Sequence, residues 1–281
     1  MNKFRWDSCP LCRSRNLHFV GNIAYRKPVI FSTNEIELTH TPELWRCRHC
    51  LSCFVQNSLD ENTAEILYSS GQAGDRWSTL AFDQNKMRNV INIMAQIFKN
   101  KGRVLDVGCN TGELLDFAHK FGCNTSGLEF SSTSRGLIVN KGHHAYSTFE
   151  ECPGKYDVIT AFDLVEHLYD VPEFLRICRE KLTEKGRLVI LTGNISSLSS
   201  MLAGSHWWYT QYPEHIVFPS KRYFSGYSGF QIEKWMPTYA SPGYKYPVFQ
   251  IFRGVVRSLI RMNYAGLPSF GPDHSLIVLK K

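Results

Sequence analysis

Paired cysteines, a glycine turn edged by acids, and a few histidines set among aromatic residues are the groups in this 281-residue chain whose types and spacing suit chemistry. Cys9-Pro-Leu-Cys12 and Cys47-Arg-His-Cys50 are two C-x-x-C pairs. Each pair belongs on a tight turn that lets its sulfurs converge, and two pairs supply the four thiolates of tetrahedral zinc. A four-thiolate site keeps no open coordination position, so its expected role is structural. His49 and Cys53 are spare ligands. Cys53 falls where the following strand would carry an apolar residue, which favours Cys9, Cys12, Cys47 and Cys50. Redox sensing by free thiols is the alternative. Cys109, Cys123, Cys152 and Cys178 are scattered singly and read as small core residues.

A second constellation is Arg103-Val-Leu-Asp-Val-Gly-Cys-Asn-Thr-Gly-Glu-Leu-Leu115. A strand runs into Asp106, a tight turn follows, and a helix begins. Gly108 and Gly112 let the backbone turn sharply and approach a ligand. Asn110 tolerates left-handed angles better than most residues. The G-x-G-x-x-G spacing of nicotinamide enzymes is absent, and Asp106 would repel a pyrophosphate. A carboxylate there suits a cofactor with a cationic amino-acid end, which points to S-adenosylmethionine. Glu129, closing Thr125-Ser-Gly-Leu-Glu129, is placed to accept hydrogen bonds from ribose hydroxyls.

Methyl transfer needs an in-line nucleophile and, where that nucleophile carries a proton, a base. His215, in Tyr212-Pro-Glu-His-Ile-Val-Phe-Pro219, is the candidate base, with Glu214 and Tyr212 close enough to orient it or to bind substrate. His167 follows the strand at 156–161 and can face the same cleft. Tyr68 could cap it. Each has a plain alternative as a packing residue. Trp207, Trp208 and Tyr209 read as lid packing or as an aromatic surface for a sugar.

Three zones would position these groups. Residues 1–58 hold the cysteine pairs, 59–98 form a helical connector, and 99–281 alternate strands and helices. In the connector, Met87, Val90, Ile91, Met94, Ile97 and Phe98 recur at helical spacing. Strands are expected at 103–107, 125–130, 156–161, 187–192, 230–236 and 275–280, with helices at 112–121, 131–140 and 172–182. Right-handed crossovers would make the early strands parallel, and the last pair could include an antiparallel edge. The weakly periodic stretch 196–227 is expected as a substrate-facing loop. Residues 248–262 suggest an amphipathic helix with Arg253, Arg257 and Arg261 in a stripe. It could meet a membrane or a phosphorylated substrate, or simply cover the sheet.

As a set, VLDVGCNTG, Gly127-Leu-Glu129, YDVITAFDLVEHL at 156–168 and LTEKGRLVILT at 182–192 resemble the class I S-adenosylmethionine-dependent methyltransferases. The resemblance implies a Rossmann-like α/β sheet with helices on both faces, while the cysteine pairs with the flanks 44–47 and 51–55 look like a small N-terminal zinc ribbon. The resemblance also implies that Asp106, Gly108, Asn110, Gly112 and Glu129 line the cofactor, and that Phe162 and Asp163 lie beside its methionine end. An adenine contact is implied near Ser147 to Phe149. More narrowly, the four-cysteine module, the tyrosine in the connector, the G-x-N-x-G loop and Tyr-x-Glu-His are similar to zinc-containing sugar C-methyltransferases. That similarity implies an active site at Tyr68, His167, Tyr212, Glu214 and His215, with His215 as the base. The second α/β domain of those enzymes is expected to be lacking, since the sequence given stops soon after Ser275–Lys280.

Composition narrows the class further. Hydrophobic residues make up 43%, enough for a packed core, and the net charge of +7 favours anionic acceptors. No run of about twenty apolar residues occurs, so no stable membrane insertion is expected. Met1 to Ser8 is polar, so no signal peptide is expected; the cysteines then fit a reducing, cytoplasmic setting. The expected partner is a small-molecule or sugar acceptor, in glycan or secondary-metabolite synthesis. Two alternatives remain: RNA methylation with the zinc module as a docking element, and a non-catalytic cofactor-binding protein. No basic cluster interleaved with aromatics marks the module, so nucleic acid is not the expected partner.

Overall fold

The computed structural model describes residues 3–25, 28–70, 88–100, 102–211, 213–238, 252, 256 and 271–281. Tyr212 and, apart from Phe252 and Val256, the amphipathic stretch 248–262 lie outside the described residues.

The N-terminal region is built from short strands: β1 (Lys3–Phe4), β2 (Leu17–Asn22), β3 (Val29–Phe31), β4 (Asn34–Ile36), β5 (Glu43–Cys47), β6 (Cys53–Gln56) and β7 (Ser58–Leu59). Helix α1 (Glu61–Ser70) and helix α2 (Arg88–Phe98) follow. Within the described part of the connector, Val90, Met94 and Phe98 of α2 are buried at the helical spacing read there, and Met87 lies outside the described residues.

The remaining elements are β8 (Arg103–Val107), α3 (Glu113–His119), β9 (Asn124–Leu128), α4 (Ser132–Asn140), β10 (His144–Tyr146), β11 (Tyr156–Phe162), α5 (Val171–Lys181), β12 (Leu182–Gly193), α6 (Leu198–Ala203), β13 (Val217–Phe218), α7 (Lys221–Gly226), β14 (Gln231–Thr238) and β15 (His274–Lys280). Seven strands form the main sheet in the order β10-β9-β8-β11-β12-β15-β14. The first five are parallel, and β15 is antiparallel to both of its neighbours. The antiparallel strand is therefore not the edge: β15 inserts beside β12 and leaves β14 outermost. Strand β10 was not among the expected strands. It has three residues with no buried apolar side chain, too little pattern to read.

Alternation fixes the register. Val104, Val158, Val189, Leu276 and Val278 pack with Val90, Met94, Leu114 and Phe117 of α2 and α3. Leu105, Ile159, Leu188, Ile190, Ile277 and Leu279 pack on the other face with Phe174, Leu175, Tyr223 and Phe224. Cys9, Cys47 and Cys50 belong to that second cluster. Burying each large aliphatic chain contributes roughly 1.5–3 kcal/mol. A one-residue slip would reverse both faces.

The stretch 196–227 corrects its expectation as a loop. It carries α6, 3₁₀ turns at Gly204–His206 and Trp208–Gln211, β13 and α7. Trp207 is fully buried and Tyr209 nearly so. Both pack with Ile23, Leu44, Val55, Ile195 and Phe218, as a wedge rather than a lid. Each helix or strand in the stretch has six residues or fewer, too short to show periodicity. Strand β13 joins a four-stranded sheet of order β13-β6-β5-β2 with the cysteine-bearing strands.

Candidate functional site

The C-terminal ends of the central parallel strands gather the candidate cofactor residues. Strand β8 ends in a turn where Gly108, Asn110 and Gly112 have φ of 71°, 48° and 84°. The left-handed angle read for Asn110 is therefore adopted. The Gly108 N–H donates to the Leu128 carbonyl at 2.8 Å, tying the turn to β9. A Cβ on Gly108 would lie 3.1 Å from the Leu164 side chain, so the turn and the segment after β11 approach closely.

Glu129 is oriented by backbone. The Asn110 N–H donates to its Oε2 at 3.0 Å, and the Ser131 N–H donates to its Oε1 at 3.0 Å. Asp106 is buried, and the Thr160 hydroxyl on the neighbouring strand donates to its Oδ1 at 2.6 Å. Burial pushes the Asp106 carboxyl up to about 7 against that hydrogen bond, and the charges of Glu129 and Glu113 add to the rise. A cation placed against this pocket would relieve the penalty. Beyond β11, Phe162 is half-buried, and Asp163 is exposed at φ 47° on the loop that follows. Ser147, at the implied adenine contact, is engaged with Glu151 through its N–H at 2.7 Å.

The second half of the site lies on the turn Val165–His167 and on the segment leading into β13. The His167 and His215 rings are 4.8 Å apart. His167 Nδ1 is 3.0 Å from the Glu214 carbonyl oxygen and 2.9 Å from the Tyr68 hydroxyl. Four of the five expected catalytic residues thus converge: Tyr68, His167, Glu214 and His215. His215 Nδ1 donates to the Tyr209 carbonyl at 3.0 Å, which leaves the basic lone pair on Nε2. Burial holds the His215 imidazole well below its ordinary range, and His167 and His274 lower it further. It is a neutral imidazole, as a base requires. The Glu214 carboxylate is buried and accepts the Ser32 N–H from the β3–β4 turn.

Glu166 and the Asp273–His274 pair escaped the sequence reading, and Tyr209, read as lid packing or a sugar surface, links them. Glu166 is fully buried, accepting from the Thr192 hydroxyl at 2.9 Å and from Tyr209 OH. Tyr209 fills the space between His215 and His274, with ring separations of 4.1 and 4.8 Å. His274 Nδ1 lies 3.1 Å from Asp273 Oδ1, and Trp208 Nε1 donates to Asp273 Oδ2 at 2.8 Å. Burial alone would lower His274, but the Asp273 contact and the charges of Asp163 and Glu166 outweigh it and leave the imidazole raised. Only the insertion of β15 next to β12, which pairs His274 with Gly193, brings this residue to the cleft.

The four cysteines of the two pairs come together. Cys9 Sγ lies 3.7 Å from Cys50 Sγ, and Cys12 Sγ lies 3.5 Å from Cys47 Sγ. All four sulfurs lie within 4.8 Å of one another. Sulfurs held tetrahedrally about 2.3 Å from one zinc would be about 3.8 Å apart, so the donor set fits that ion. The hydrogen bond between Cys9 and Cys50 pushes the Cys9 thiol up and the Cys50 thiol down. Cys53 sits in β6, where Arg46 Nε donates to its sulfur at 3.2 Å, and His49 Nε2 contacts the Tyr227 hydroxyl at 3.0 Å. Neither spare ligand joins the cluster. Cys109, Cys123, Cys152 and Cys178 are buried singly, as read.

Among the described residues no helix is long and apolar enough to cross a membrane. The family described as "Methyltransferase domain" matches residues 80–228, more than half of the chain. A ubiquinone biosynthesis O-methyltransferase of Bradyrhizobium diazoefficiens is 33% identical over 110 residues, 36% of this chain and 44% of that protein. The protein of that name from Pseudomonas aeruginosa strain UCBPP-PA14 is 28% identical over 105 residues, 33% of this chain and 44% of its own length. The match therefore spans less than half of these curated relatives. The crystal structure of a SAM-dependent methyltransferase from Archaeoglobus fulgidus shares the fold with a TM-score of 0.50 and 20% identity, covering 73% of this chain and 98% of that one. On the family match, the seven-stranded sheet and the glycine turn at the end of β8, this chain belongs to the methyltransferase-domain family.

Proposed function

We propose that the chain is an S-adenosylmethionine-dependent methyltransferase for a small molecule or sugar, in glycan or secondary-metabolite synthesis, with His215 as general base. Cys9, Cys12, Cys47 and Cys50 hold one structural zinc ion in this reading. The carrying observation is that the segment bearing Leu164, three residues before His167, packs against the Gly108 turn, which supports placing both groups of residues on one cleft. One half offers a buried carboxylate and a backbone-oriented one, Asp106 and Glu129. The other offers a neutral buried imidazole, His215, beside His167.

When bound, S-adenosylmethionine supplies an electrophilic methyl group on a cationic sulfur. Asp106 meets the positive charge of the cofactor, and Glu129 accepts its ribose hydroxyls. Gly108 and Gly112 admit close backbone approach, with Phe162 and Asp163 flanking the methionine end. His215 Nε2 would accept the proton that the acceptor's nucleophile loses, the role open to a neutral imidazole. The Tyr209 carbonyl keeps that nitrogen unprotonated. The name of the curated relatives, ubiquinone biosynthesis O-methyltransferase, supports a small acceptor.

Incubating the pure protein with methyl-labelled S-adenosylmethionine and a panel of phenols, nucleotide-linked sugars and total RNA tests the reading. Label is expected in a small molecule. Label confined to RNA, or no transfer to any acceptor tried alongside absent cofactor binding, would contradict it.

A further inference from the structure

Within the N-terminal region, one strand of the sheet comes from elsewhere in the chain. Strand β13, Val217–Phe218, pairs antiparallel with β6, with Val217 opposite Phe54 and Phe218 opposite Cys53. It begins two residues after His215. The Val55 N–H donates to the Ile216 carbonyl at 2.8 Å, and the Ile216 N–H donates to the Glu166 carbonyl at 2.8 Å. The backbone that carries the candidate base is thus clamped between β6 and the turn that bears His167.

The cysteine knuckle grips the far end of the same segment. The Ser220 hydroxyl donates to the Cys50 carbonyl at 2.5 Å, and the Ser220 N–H donates to the Ser52 hydroxyl at 3.0 Å. Ser52 and Ser220 are both buried. Within the knuckle, the Leu51 N–H closes onto the Cys47 carbonyl at 2.9 Å, so the carbonyl of Cys50 points where the turn sets it. Glu214, on the other side of His215, is held by Ser32 in the β3–β4 hairpin.

The contacts that shape the candidate cofactor pocket have different sources. Asp106, Gly108 and Glu129 are held by Thr160, Leu128, Asn110 and Ser131, all within the main sheet and its turns. The hydrogen bonds of the cofactor half thus come from the main sheet and its turns, whereas those of the His215 segment come from β6, the Cys50–Ser52 knuckle and the Glu166 turn.

We propose that the four-thiolate module positions the acceptor half of the site, fixing His215 through the β6–β13 pairing and the Ser52–Ser220 bond, and leaves the cofactor half to the main sheet. Loss of the metal would loosen the knuckle, release Ser220 and let the His215 segment drift. A displacement near 1 Å at a catalytic group can cost about 100-fold in rate. Ser52 and Ser220 are positioning residues on this account.

The inference rests on the zinc and base assignments above, so the test reads those first. Zinc is counted in the full-length protein, and turnover of His215→Ala is measured. Histidine-labelled protein then gives the His215 ring resonances, assigned with His215→Gln. Metal is removed with a chelator and later restored as zinc alone. Without metal, the His215 resonances are expected to shift or broaden and turnover to fall about 100-fold, while the affinity for S-adenosylmethionine changes less than about threefold. Added zinc restores both signals. Ser52→Ala, which keeps all four thiolates, is expected to lower kcat about tenfold with the cofactor KM unchanged, and Ser52→Thr to recover part of the loss.

His215 resonances that stay in place after metal loss would overturn the inference and leave the zinc and base readings intact. Cofactor affinity lost in step with the metal would overturn it too, showing a staple for the whole fold. Unchanged kcat in Ser52→Ala would likewise overturn it. A metal-free chain as purified, or a fully active His215→Ala, would remove the reading beneath it.

Discussion

At the scale of single residues, the account turns on two buried titratable groups with opposite burdens. Asp106 is held up to about 7 by burial. A carboxyl raised above its ordinary value near 4 favours the fold while protonated, and that contribution is lost as pH rises from about 4 to about 7. Asp106→Asn should therefore raise the melting temperature of the cofactor-free protein at pH 8 while weakening cofactor binding at least tenfold. Thermal melts and calorimetry check the pair, and a mutant that melts lower at pH 8 would contradict the burial argument. His215 is shifted the other way, to a neutral imidazole. His215→Ala should reduce turnover by roughly 100-fold while sparing cofactor affinity, and full activity would place the base elsewhere. The sequence made these residues legible because an acid before a glycine turn and a histidine in an aromatic segment carry local signals. It could not show that Glu214 is bonded by Ser32, since that depends on a hairpin 182 residues distant.

Among the elements, the parallel strands and their crossover helices were readable because each is long enough to show alternation or helical spacing. Strand β10, at three residues, was not, and the short pieces between 198 and 226 read as loop. The wedge they form has a specific weak point. A Cβ on Gly193, at the end of β12, would collide with the Tyr209 ring. Tyr209 supports His215 through its carbonyl and bonds Glu166 through its hydroxyl. Gly193→Ala should cost about 1–3 kcal/mol of stability by overpacking and should lower turnover, because Tyr209 must move. Denaturant melts and rate measurements check this. A mutant as stable and active as wild type would show that Tyr209 has room to yield. His274 illustrates a different limit. Nothing in Asp273-His274-Ser275 announces a cleft residue, and only the antiparallel insertion of β15 beside β12 makes it one.

For the whole molecule, the fold class and the cysteine cluster were both legible, the first from periodicity and the second from paired spacing. The strand pairing that links the cysteine-bearing sheet to the His215 segment was not. Strand pairing between residues 53–54 and 217–218 joins the cysteine-bearing sheet to the segment that carries the candidate base, and two apolar residues give no sequence sign of such a partner. Metal analysis should find about one zinc per chain. The central claim, that the carboxylate-edged turn receives S-adenosylmethionine, is tested most directly by titrating the pure protein with that compound in a calorimeter at pH 6 and pH 8. Asp106 must give up its proton to face a cation, so binding should be saturable at one site per chain, about tenfold weaker at pH 6, and accompanied by proton release that Asp106→Asn abolishes. No heat of binding at either pH, or an affinity in Asp106→Asn equal to wild type, would contradict it.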